Sequence, residues 1–414
     1  MLTLMLIGVT LTFNIHPAMA SGTVYIRADG SIDPPTAPIS SIDDITYTFT
    51  DNIYDSIVVE RSNIIIDGDG HTLQGQGAYD SKGIALSGRS NVTIRNIEIR
   101  AFYFGIWFSN SASNNIVRSN VTKNMYGFSL LRSSHNNIAG NNITSNVSGI
   151  SSYNSSCINI IRNNITANER DGMTLAVTFN SNIIGNKIMV NGDGIYSIFS
   201  SNNSISGNKI KNNGCGIYLG FASNNTMTEN NIMGNTWPGI YFKYSSNNKL
   251  CHNNFMSNGL QICNEYSVNT WDDGFPSGGN YWSDYVERYP DAQELDDSGI
   301  WDTPYNIDEN NQDNYPLMEP WAPPSPIPTT VGELKTKIVE LGSEGEIDNR
   351  GIVNSLVSKL DVAQKLVDKG KIHAAKTVLA NGFISQVQGL SGIRITVEAA
   401  DILVESAQYI ISHL

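Results

Sequence analysis

The chain has 414 residues, a length that allows two or three domains. Its net charge of −13 excludes the basic face that binding to nucleic acid requires, so we expect no nucleic-acid partner. The four cysteines show no Cys-x-x-Cys metal spacing, and their spacing alone does not define disulfide pairs.

The first segment of the chain is apolar. Residues 1–20 end in the small-x-small pattern Ala18-Met19-Ala20, which is typical of a secretory signal peptide. This run is too short to span a membrane and no later one is longer, so we expect no membrane span in the mature chain. The protein is therefore predicted to be secreted or at the cell surface, or periplasmic if the cell has two membranes. Residues 21–63 carry scattered strand signals and are predicted to close the N-terminal end of the repeat that follows.

A repeat of 22 or 23 residues then dominates the sequence. Each unit carries a glycine followed by an apolar residue, at Gly83-Ile84, Gly105-Ile106, Gly127-Phe128, Gly149-Ile150, Gly172-Met173, Gly194-Ile195, Gly216-Ile217 and Gly239-Ile240. Two further apolar columns run in register with this pair, namely Ile116, Ile138, Ile160, Ile183, Ile205, Met227, Leu250 and Val121, Ile143, Ile165, Ile188, Ile210, Ile232, Phe255. A fixed period of this length predicts a solenoid in which each unit buries its apolar side against the next.

The repeat units consist of strands rather than helices. Single apolar residues such as Ile138, Ile143 and Ile150 are separated by Asn, Ser and Gly, which leaves no room for a helix of two turns. Leucine is too scarce for a leucine-rich repeat, and the hexapeptide period of a left-handed solenoid is absent. The sequence therefore predicts a right-handed parallel β-helix over residues 64–270, with neighbouring coils about 4.8 Å apart.

Asparagine recurs at two positions of the repeat. The columns are Asn141, Asn163, Asn186, Asn208, Asn230, Asn253 and Asn146, Asn168, Asn191, Asn213, Asn235, Asn258. Because Asn tolerates the left-handed conformation, we expect these residues to form the sharp corners of the coils. Their amides are also expected to stack and to form hydrogen bonds from coil to coil.

Three segments of different composition follow the repeat. Residues 271–321 lose the period and are rich in Trp, Tyr and acidic residues, which predicts a C-terminal cap. Residues 322–332 are rich in proline and are expected to form a stiff linker. In residues 333–414 the apolar period becomes helical, with Gly370 ending one helix and Thr396 as the N-cap of the last. A small α-helical bundle is therefore predicted after the solenoid.

Several motifs resemble those of the NosD-like β-helix family. They are Ile66-Asp67-Gly68-Asp69-Gly70-His71-Thr72-Leu73, Ser90-Asn91-Val92-Thr93-Ile94-Arg95-Asn96, Gly279-Asn280-Tyr281-Trp282-Ser283-Asp284-Tyr285, Asp302-Thr303-Pro304-Tyr305 and Asp313-Asn314-Tyr315-Pro316-Leu317. The similarity covers residues 21–321, and the tail is similar to the FIMAH domain of extracellular proteins through Phe383-Ile384 and residues 395–403. The resemblance implies a carbohydrate-binding or surface role for most members. For the name-giving members it implies help with copper delivery to nitrous oxide reductase, and the fold alone does not decide between these roles.

The residue that follows each Gly-Ile pair is expected to point outward. Tyr196, Tyr218 and Tyr241 occupy this position on successive coils, and Trp107 occupies it nearer the N-terminus. Rings spaced by one coil would form a flat apolar strip with polar edges, which suits sugar rings laid along the solenoid. The alternative is that aromatic side chains favour exposed strand positions for structural reasons.

Two aspartates are the candidate catalytic pair. Asp171 and Asp193 precede the glycines of neighbouring units, so their Cα atoms are expected about 5 Å apart. Two carboxyl groups at this spacing could act as acid and nucleophile in glycoside cleavage, or could hold a cation. Asp before Gly is also a common turn residue, and the Asn-Thr-Asp, Gly-His-Gly and Arg-Ile-Lys motifs of polygalacturonases are absent.

A loop in the cap is the candidate calcium site. The loop is similar to an Asp-rich loop of NosD-like proteins, and Asp296, Ser298, the Ile300 carbonyl and Asp302 could supply the oxygen ligands that Ca²⁺ prefers. Ser298 and Trp301 replace the family's usual Asp and Gly, which lowers the charge of the loop. The alternative is an acidic surface loop held by packing of Trp301.

The sequence does not favour a copper site. Met233 and Met256 share an outward column on adjacent coils, and they carry the soft ligands that copper prefers. Cys251 and His252, however, are expected on a different stretch of strand. Solvated side chains without a shared centre are therefore the preferred interpretation.

These features leave three hypotheses on function. The first is a non-catalytic secreted or cell-surface β-helix protein that binds polysaccharide or cell-envelope carbohydrate. The alternative is a polysaccharide lyase or glycoside hydrolase, and the third hypothesis is a NosD-like accessory protein for copper. An unidentified protein partner is expected for the helical tail.

Overall fold

A computed structural model describes residues 22–322 and 328–414 of the chain. The chain divides into two compact units, of which the first ends at Trp321 and the second begins at Ala322. Residues 1–20, predicted as a signal peptide, and residues 323–327 of the predicted linker lie outside the described residues.

The first unit is a parallel β-helix, as predicted, because each coil contributes one strand to each of three sheets. The first sheet has 12 strands, in the spatial order Ile32–Asp33, Val24–Ile26, Ile57–Val59, Lys82–Ser87, Phe104–Ser109, Tyr126–Leu131, Ser148–Ser156, Met173–Phe179, Asp193–Ile198, Cys215–Gly220, Pro238–Lys243 and Leu260–Glu265. The second sheet has 11 strands, Ile39–Ser40, Thr46–Phe49, Ile65–Asp67, Thr93–Arg95, Asn115–Val117, Asn137–Ala139, Asn159–Ile161, Asn182–Ile184, Ser204–Ser206, Thr226–Thr228 and Lys249–Cys251. The third sheet has 10 strands, Thr72–Gln74, Glu98–Arg100, Asn120–Thr122, Asn142–Thr144, Asn164–Thr166, Lys187–Met189, Lys209–Lys211, Asn231–Met233, Asn254–Met256 and Tyr281–Trp282.

Three apolar columns, one from each sheet, fill the inside of the coils. They are the columns predicted from the repeat, and every member is at most 1% exposed, which confirms the prediction. The glycine before the first column is required by close packing between coils. A Cβ atom on Gly149 would lie 2.5 Å from the carbonyl oxygen of Gly172, so a larger residue at this position would push neighbouring coils apart.

The asparagine columns form hydrogen-bonded ladders inside two corners. The backbone N–H and the Nδ2 of Asn163 both donate to Oδ1 of Asn186, at 2.9 and 3.0 Å, and Asn186 bonds to Asn208 in the same way. The predicted stacking is confirmed, but the predicted left-handed conformation of these residues is wrong. The positive φ angles belong to the preceding residues, 52° at Arg162 and 63° at Gly185. The coil turns at the residue before each Asn. The Asn amide then points inward, where its oxygen accepts the backbone N–H of the neighbouring coil.

The aromatic segment after the repeat covers the C-terminal end of the core. Trp271 and Trp282 are both 1% exposed, and the Trp282 ring stacks on Phe255 with a centroid distance of 4.5 Å. The short helix α1 (Tyr285–Arg288) and an antiparallel hairpin of Tyr305–Asp308 and Asn311–Asp313 follow. Large buried rings thereby replace the next coil as the apolar partner of the last one.

The buried carboxyl group of Asp313 ends one asparagine ladder. Oδ1 of Asn280 accepts the backbone N–H of Asn253 at 3.1 Å. Oδ2 of Asp313 in turn accepts the backbone N–H of Asn280 at 2.7 Å and the indole N–H of Trp282 at 2.9 Å. Burial raises the pKa of Asp313 from 3.8 to about 7, and the N–H donors oppose this shift.

The raised pKa predicts that Asp313 makes the cap less stable as the pH rises. A folded-state pKa above the unfolded value means that the contribution of this group is fully present below pH of about 4 and is lost by about pH 7. A pKa shift of about three units corresponds to a loss on the order of 4 kcal/mol in the free energy of unfolding. We expect the melting temperature of the wild type to fall relative to that of Asp313→Asn as the pH is raised from 4 to 8. A difference that does not change with pH would contradict the prediction.

The second unit is helical. Its helices are α2 (Val331–Ser343), α3 (Arg350–Asp368), α4 (Ile372–Thr377), α5 (Ser385–Leu390) and α6 (Val397–His413), with a π-helical stretch at Val378–Ile384 between α4 and α5. The hydroxyl oxygen of Thr396 accepts the N–H of Ala399 at 3.3 Å, which confirms the predicted N-cap. Gly370, with φ of 69°, follows the end of α3 as predicted. No helix in the described ranges is both long and apolar enough to cross a membrane.

Candidate functional site

The outward face of the first sheet carries the predicted tyrosine strip. Tyr196 pairs in register with Tyr218, and Tyr218 pairs with Tyr241, so the three residues occupy one column on successive coils. The rings of Tyr196 and Tyr218 are parallel within 9°, and their centroids lie 4.8 Å apart. Two of the three predicted rings therefore form a stacked, half-buried pair.

Tyr241 departs from the expected flat strip. Its ring is turned by 82° relative to Tyr218, with a centroid distance of 5.2 Å. The phenol O–H of Tyr241 donates to Glu265 on the next coil, and Glu265 also forms an ion pair with Lys243 at 3.3 Å. The hydrogen bond to Glu265 raises the pKa of Tyr241, because it places a negative charge next to the phenol oxygen. The Tyr241 ring is therefore turned out of the flat strip expected from the sequence, in the orientation that its hydrogen bond to Glu265 requires.

Trp107 lies in the same column but belongs to a separate aromatic cluster. Three non-aromatic positions, Ser129, Ser151 and Thr174, separate it from Tyr196. The ring centroids of Trp107 and Phe104 lie 4.5 Å apart, and the ammonium group of Lys82 lies 5.6 Å from the Trp107 centroid. Trp107 therefore does not extend the tyrosine strip.

Asp171 and Asp193 lie on neighbouring coils of the same outward face. The hydroxyl of Thr174 donates to Oδ2 of Asp171 at 2.7 Å, and the N–H of Cys215 donates to Oδ1 of Asp193 at 3.3 Å. Burial raises the pKa of both carboxyl groups, and in Asp171 the charge of Asp193 acts in the same direction. Both charges also contribute to a raised pKa of Tyr196, after burial and Tyr218. The aspartate pair thus lies beside the tyrosine strip, and the pKa of each carboxyl group is higher than that of free Asp.

Three of the four predicted calcium ligands take part in hydrogen bonds within the loop. The carbonyl oxygen of Ile300 accepts the N–H of Leu295 at 2.8 Å, and the hydroxyl of Ser298 donates to the carbonyl oxygen of Leu295. Oδ1 of Asp302 accepts the N–H of Gln293 at 3.1 Å. Over residues 22–322 and 328–414, no group of three or more His, Cys, Asp or Glu residues is placed to hold a metal ion. A calcium ion in this loop stays a prediction.

The candidate copper ligands lie on different sheets. Met233 and Met256 pair in the third sheet, whereas Cys251 ends a strand of the second sheet and is 4% exposed. Burial raises the pKa of the Cys251 thiol to about 11, which disfavours the thiolate that metals bind. The ring of His252 stacks on the ring of Trp321, with centroids 3.7 Å apart. These residues do not fit a shared copper centre, and we derive no copper chemistry from them.

A second set of aromatic residues, which we did not single out from the sequence, lies at the corner after the first sheet. It consists of Phe199, Phe221, Tyr244 and Tyr266. Their spacing repeats the 22- or 23-residue period, so alignment of this column would have found them. Because these residues follow the end of a strand, the alternation of inward and outward side chains along the strand does not identify them.

The described units define a solenoid protein of the parallel β-helix class with a helical C-terminal domain. Residues 61–235 and 155–287 match the NosD family, described as periplasmic copper-binding proteins, and residues 331–412 match the FIMAH domain. Because the NosD matches together span more than half of the chain, this protein belongs to the NosD family. None of the curated proteins matches the sequence.

Several solved structures are similar to the chain. A variant of the periplasmic alginate epimerase AlgG is 18% identical with a TM-score of 0.43, and the match covers 57% of this chain and 62% of that one. The A-module of mannuronan C-5 epimerase AlgE6 from Azotobacter vinelandii is 14% identical with a TM-score of 0.31, covering 55% and 75% of the two chains. The surface adhesin PfbA of Streptococcus pneumoniae is 16% identical with a TM-score of 0.32, covering 56% and 73%.

Proposed function

We propose that this protein is a secreted or cell-surface β-helix protein that binds polysaccharide or cell-envelope carbohydrate without modifying it. The observation that supports this function most directly is the stacked pair of Tyr196 and Tyr218 on an outward face, with centroids 4.8 Å apart. Aromatic rings with polar tips suit the apolar faces and hydroxyl edges of sugars. A location outside the cytoplasm agrees with the predicted signal peptide and with a family described as periplasmic.

Removal of the stacked pair is expected to weaken glycan binding. The double variant Tyr196→Ala, Tyr218→Ala should lose about 1–3 kcal/mol of binding free energy for a glycan identified on an array, because stacking contacts of this size dominate such sites. Affinity is measured by calorimetry, and unchanged melting curves establish that the variant is folded.

The control for this experiment is Tyr54→Ala, which removes an exposed tyrosine, 46% accessible, near the N-terminal end. It should bind like the wild type. Wild-type affinity of the double variant would remove the tyrosine pair from the proposed function.

The aspartate pair favours a second candidate function, hydrolysis of a glycan. Asp171 and Asp193 both have raised pKa values and lie beside Tyr196, where a bound sugar would lie. In such a reaction, one protonated carboxyl group gives its proton to the glycosidic oxygen as the C–O bond breaks, while the other carboxylate attacks the anomeric carbon and forms a glycosyl ester. Water then hydrolyses this ester with the first group acting as base, which frees the second carboxylate and leaves a new reducing end.

A reducing-sugar assay distinguishes the two functions. If the pair is catalytic, Asp171→Asn and Asp193→Asn should each lower the release of reducing ends by about 10²–10⁴-fold, because each removes one reacting carboxyl group. Asp80→Asn, which changes an exposed carboxylate, is the matched control. Absence of reducing ends with a glycan that the wild type binds would contradict hydrolysis and leave the binding function intact.

A further inference from the structure

Four exposed aromatic rings run along one corner of the solenoid, and we name them the corner strip. Phe199, Phe221, Tyr244 and Tyr266 are 51%, 48%, 46% and 77% exposed. Neighbouring ring centroids lie 5.1, 5.1 and 5.0 Å apart, with interplanar angles of 18°, 18° and 8°. The strip is therefore continuous over four successive coils, unlike the tyrosine pair on the adjacent strands.

The ring geometry leaves part of each face open. Aromatic faces in contact are separated by about 3.5–4.0 Å, so nearly parallel rings with centroids 5 Å apart must be offset. Parallel rings that are offset overlap only in part, so each ring exposes an edge and a portion of its face. Tyr266 ends the strip and has the largest exposed fraction of the four.

Polar groups accompany the corner strip at the same interval. Two residues after each of the first three rings lies a partly exposed serine, Ser201, Ser223 or Ser246. The hydroxyl oxygens of Ser201 and Ser246 accept a backbone N–H from the next coil, at 3.3 and 3.0 Å, which leaves their protons free to donate. Three of the four coils thus present one aromatic ring and one serine hydroxyl, in an arrangement that repeats along the axis.

The Tyr218 ring lies against the backbone that immediately precedes the corner strip. Gly220 lies between Tyr218 and Phe221 in the sequence, and a Cβ atom there would lie 3.0 Å from Cε1 of Tyr218. The Tyr218 ring therefore covers the backbone of Gly220 and extends the aromatic surface toward the corner. A side chain at position 220 would displace this ring.

We infer that the corner strip binds an unbranched, uncharged polysaccharide whose chain lies along the solenoid axis, with one sugar unit per coil. This inference rests on the proposed carbohydrate-binding function and names its ligand class. The coil spacing of about 4.8 Å is close to the length of one extended pyranose unit, so a regular polymer meets an aromatic ring at every step and a serine hydroxyl at three of the four. A protein partner with an irregular sequence would not use such a repeat.

The charge at one end of the strip sets the preference for an uncharged chain. Tyr266 borders a cleft of about 520 Å³ that is also lined by Asp308 and Glu309. These carboxylates repel uronate or sulfate groups on a ligand that reaches Tyr266, and the protein carries a net charge of −13. A polymer of neutral sugars avoids this repulsion.

The test uses soluble linear β-1,4-linked gluco-oligosaccharides of two to six units with the full-length protein. We expect affinity to rise with each added unit up to four and then to level off, because four rings are available. The double variant Phe221→Asn, Tyr244→Asn should bind the tetramer at least about tenfold more weakly and should lose the dependence on length. Oligogalacturonate of equal length should bind more weakly than the neutral tetramer.

The asparagine substitutions are chosen so that the variant folds. Phe221 and Tyr244 have φ angles of 50° and 51°, a conformation that Asn tolerates, and the same column carries Asn110 and Asn154 in earlier coils, with φ of 51° and 49°. The control Tyr79→Ala removes a ring that is 85% exposed elsewhere and should leave affinity unchanged.

Each outcome separates the inference from the proposed function. Wild-type affinity in the Phe221→Asn, Tyr244→Asn variant would overturn the corner strip while leaving carbohydrate binding intact. Binding confined to charged or branched glycans would overturn the ligand class. No binding of the wild type to any glycan on an array would overturn both the inference and the proposed function.

Discussion

Replacing Ile165 by aspartate is expected to destabilise the solenoid by several kcal/mol. Ile165 is fully buried and pairs in register with Ile143 on one side and Ile188 on the other. A carboxylate at this position would have no partner among apolar neighbours, and an unpaired buried charge costs on the order of 3–5 kcal/mol. The loss is measured as a lower melting temperature or a lower denaturant midpoint.

Thr166→Asp is the matched control for Ile165→Asp. Thr166 is the next residue of the same strand and lies on the outward side, where its hydroxyl donates to Oδ1 of Asn164 at 2.7 Å. A carboxylate there stays in contact with water, so we expect a change of at most about 1 kcal/mol. Equal damage from the two variants would show that the inward and outward positions of this strand are assigned incorrectly.

Asn186→Ala is expected to be the second most damaging change, because it breaks an asparagine ladder in the middle of the solenoid. Oδ1 of Asn186 accepts two hydrogen bonds from Asn163, and Nδ2 of Asn186 donates to the carbonyl oxygen of Ile160 at 2.8 Å and to Oδ1 of Asn208 at 3.0 Å. Alanine leaves these buried groups without partners. Each buried group left unsatisfied costs about 1–3 kcal/mol, so the total is several kcal/mol.

The control for the ladder is Asn182→Ala. Asn182 is an exposed residue of the same coil as Asn186, and its Nδ2 donates to Oδ1 of Asn159 on the neighbouring coil at 2.9 Å. Water can replace this hydrogen bond, so the variant should melt close to the wild type. If Asn182→Ala and Asn186→Ala lowered the melting temperature equally, burial of the ladder would not be the source of its stability.

The repeat made the core predictable because its information is local and periodic. A residue such as Ile138 recurs in the same place of every coil, so its neighbours above and below are known without a structure. The asparagine stacking follows from the same periodicity. The left-handed corners did not follow, because sequence spacing does not tell whether Asn186 or Gly185 makes the turn. Gly185 makes the turn because Asn186 must point inward to accept the hydrogen bonds of Asn163 from the neighbouring coil.

The candidate site was less predictable than the core, because its geometry depends on contacts between different columns. Glu265 turns the ring of Tyr241 out of the strip, and Phe104 holds Trp107 in another cluster. Neither contact is a feature of the repeat. The sequence placed these residues in the correct column, but it carried no information on the contacts that orient the Tyr241 ring or hold Trp107 in its cluster.

The sequence by itself determined the solenoid, its three buried columns, its asparagine ladders and the start of the last helix at Thr396, because each depends on a period or a cap that is visible along the chain. The tertiary structure alone decided which surface aromatic rings form a continuous strip, and it placed Asp313 at the end of a ladder that begins far away in the sequence. The physical reason is that burial of apolar residues follows the pattern of the chain, whereas the orientation of a ring and the pKa of a carboxyl group are set by neighbours from other coils.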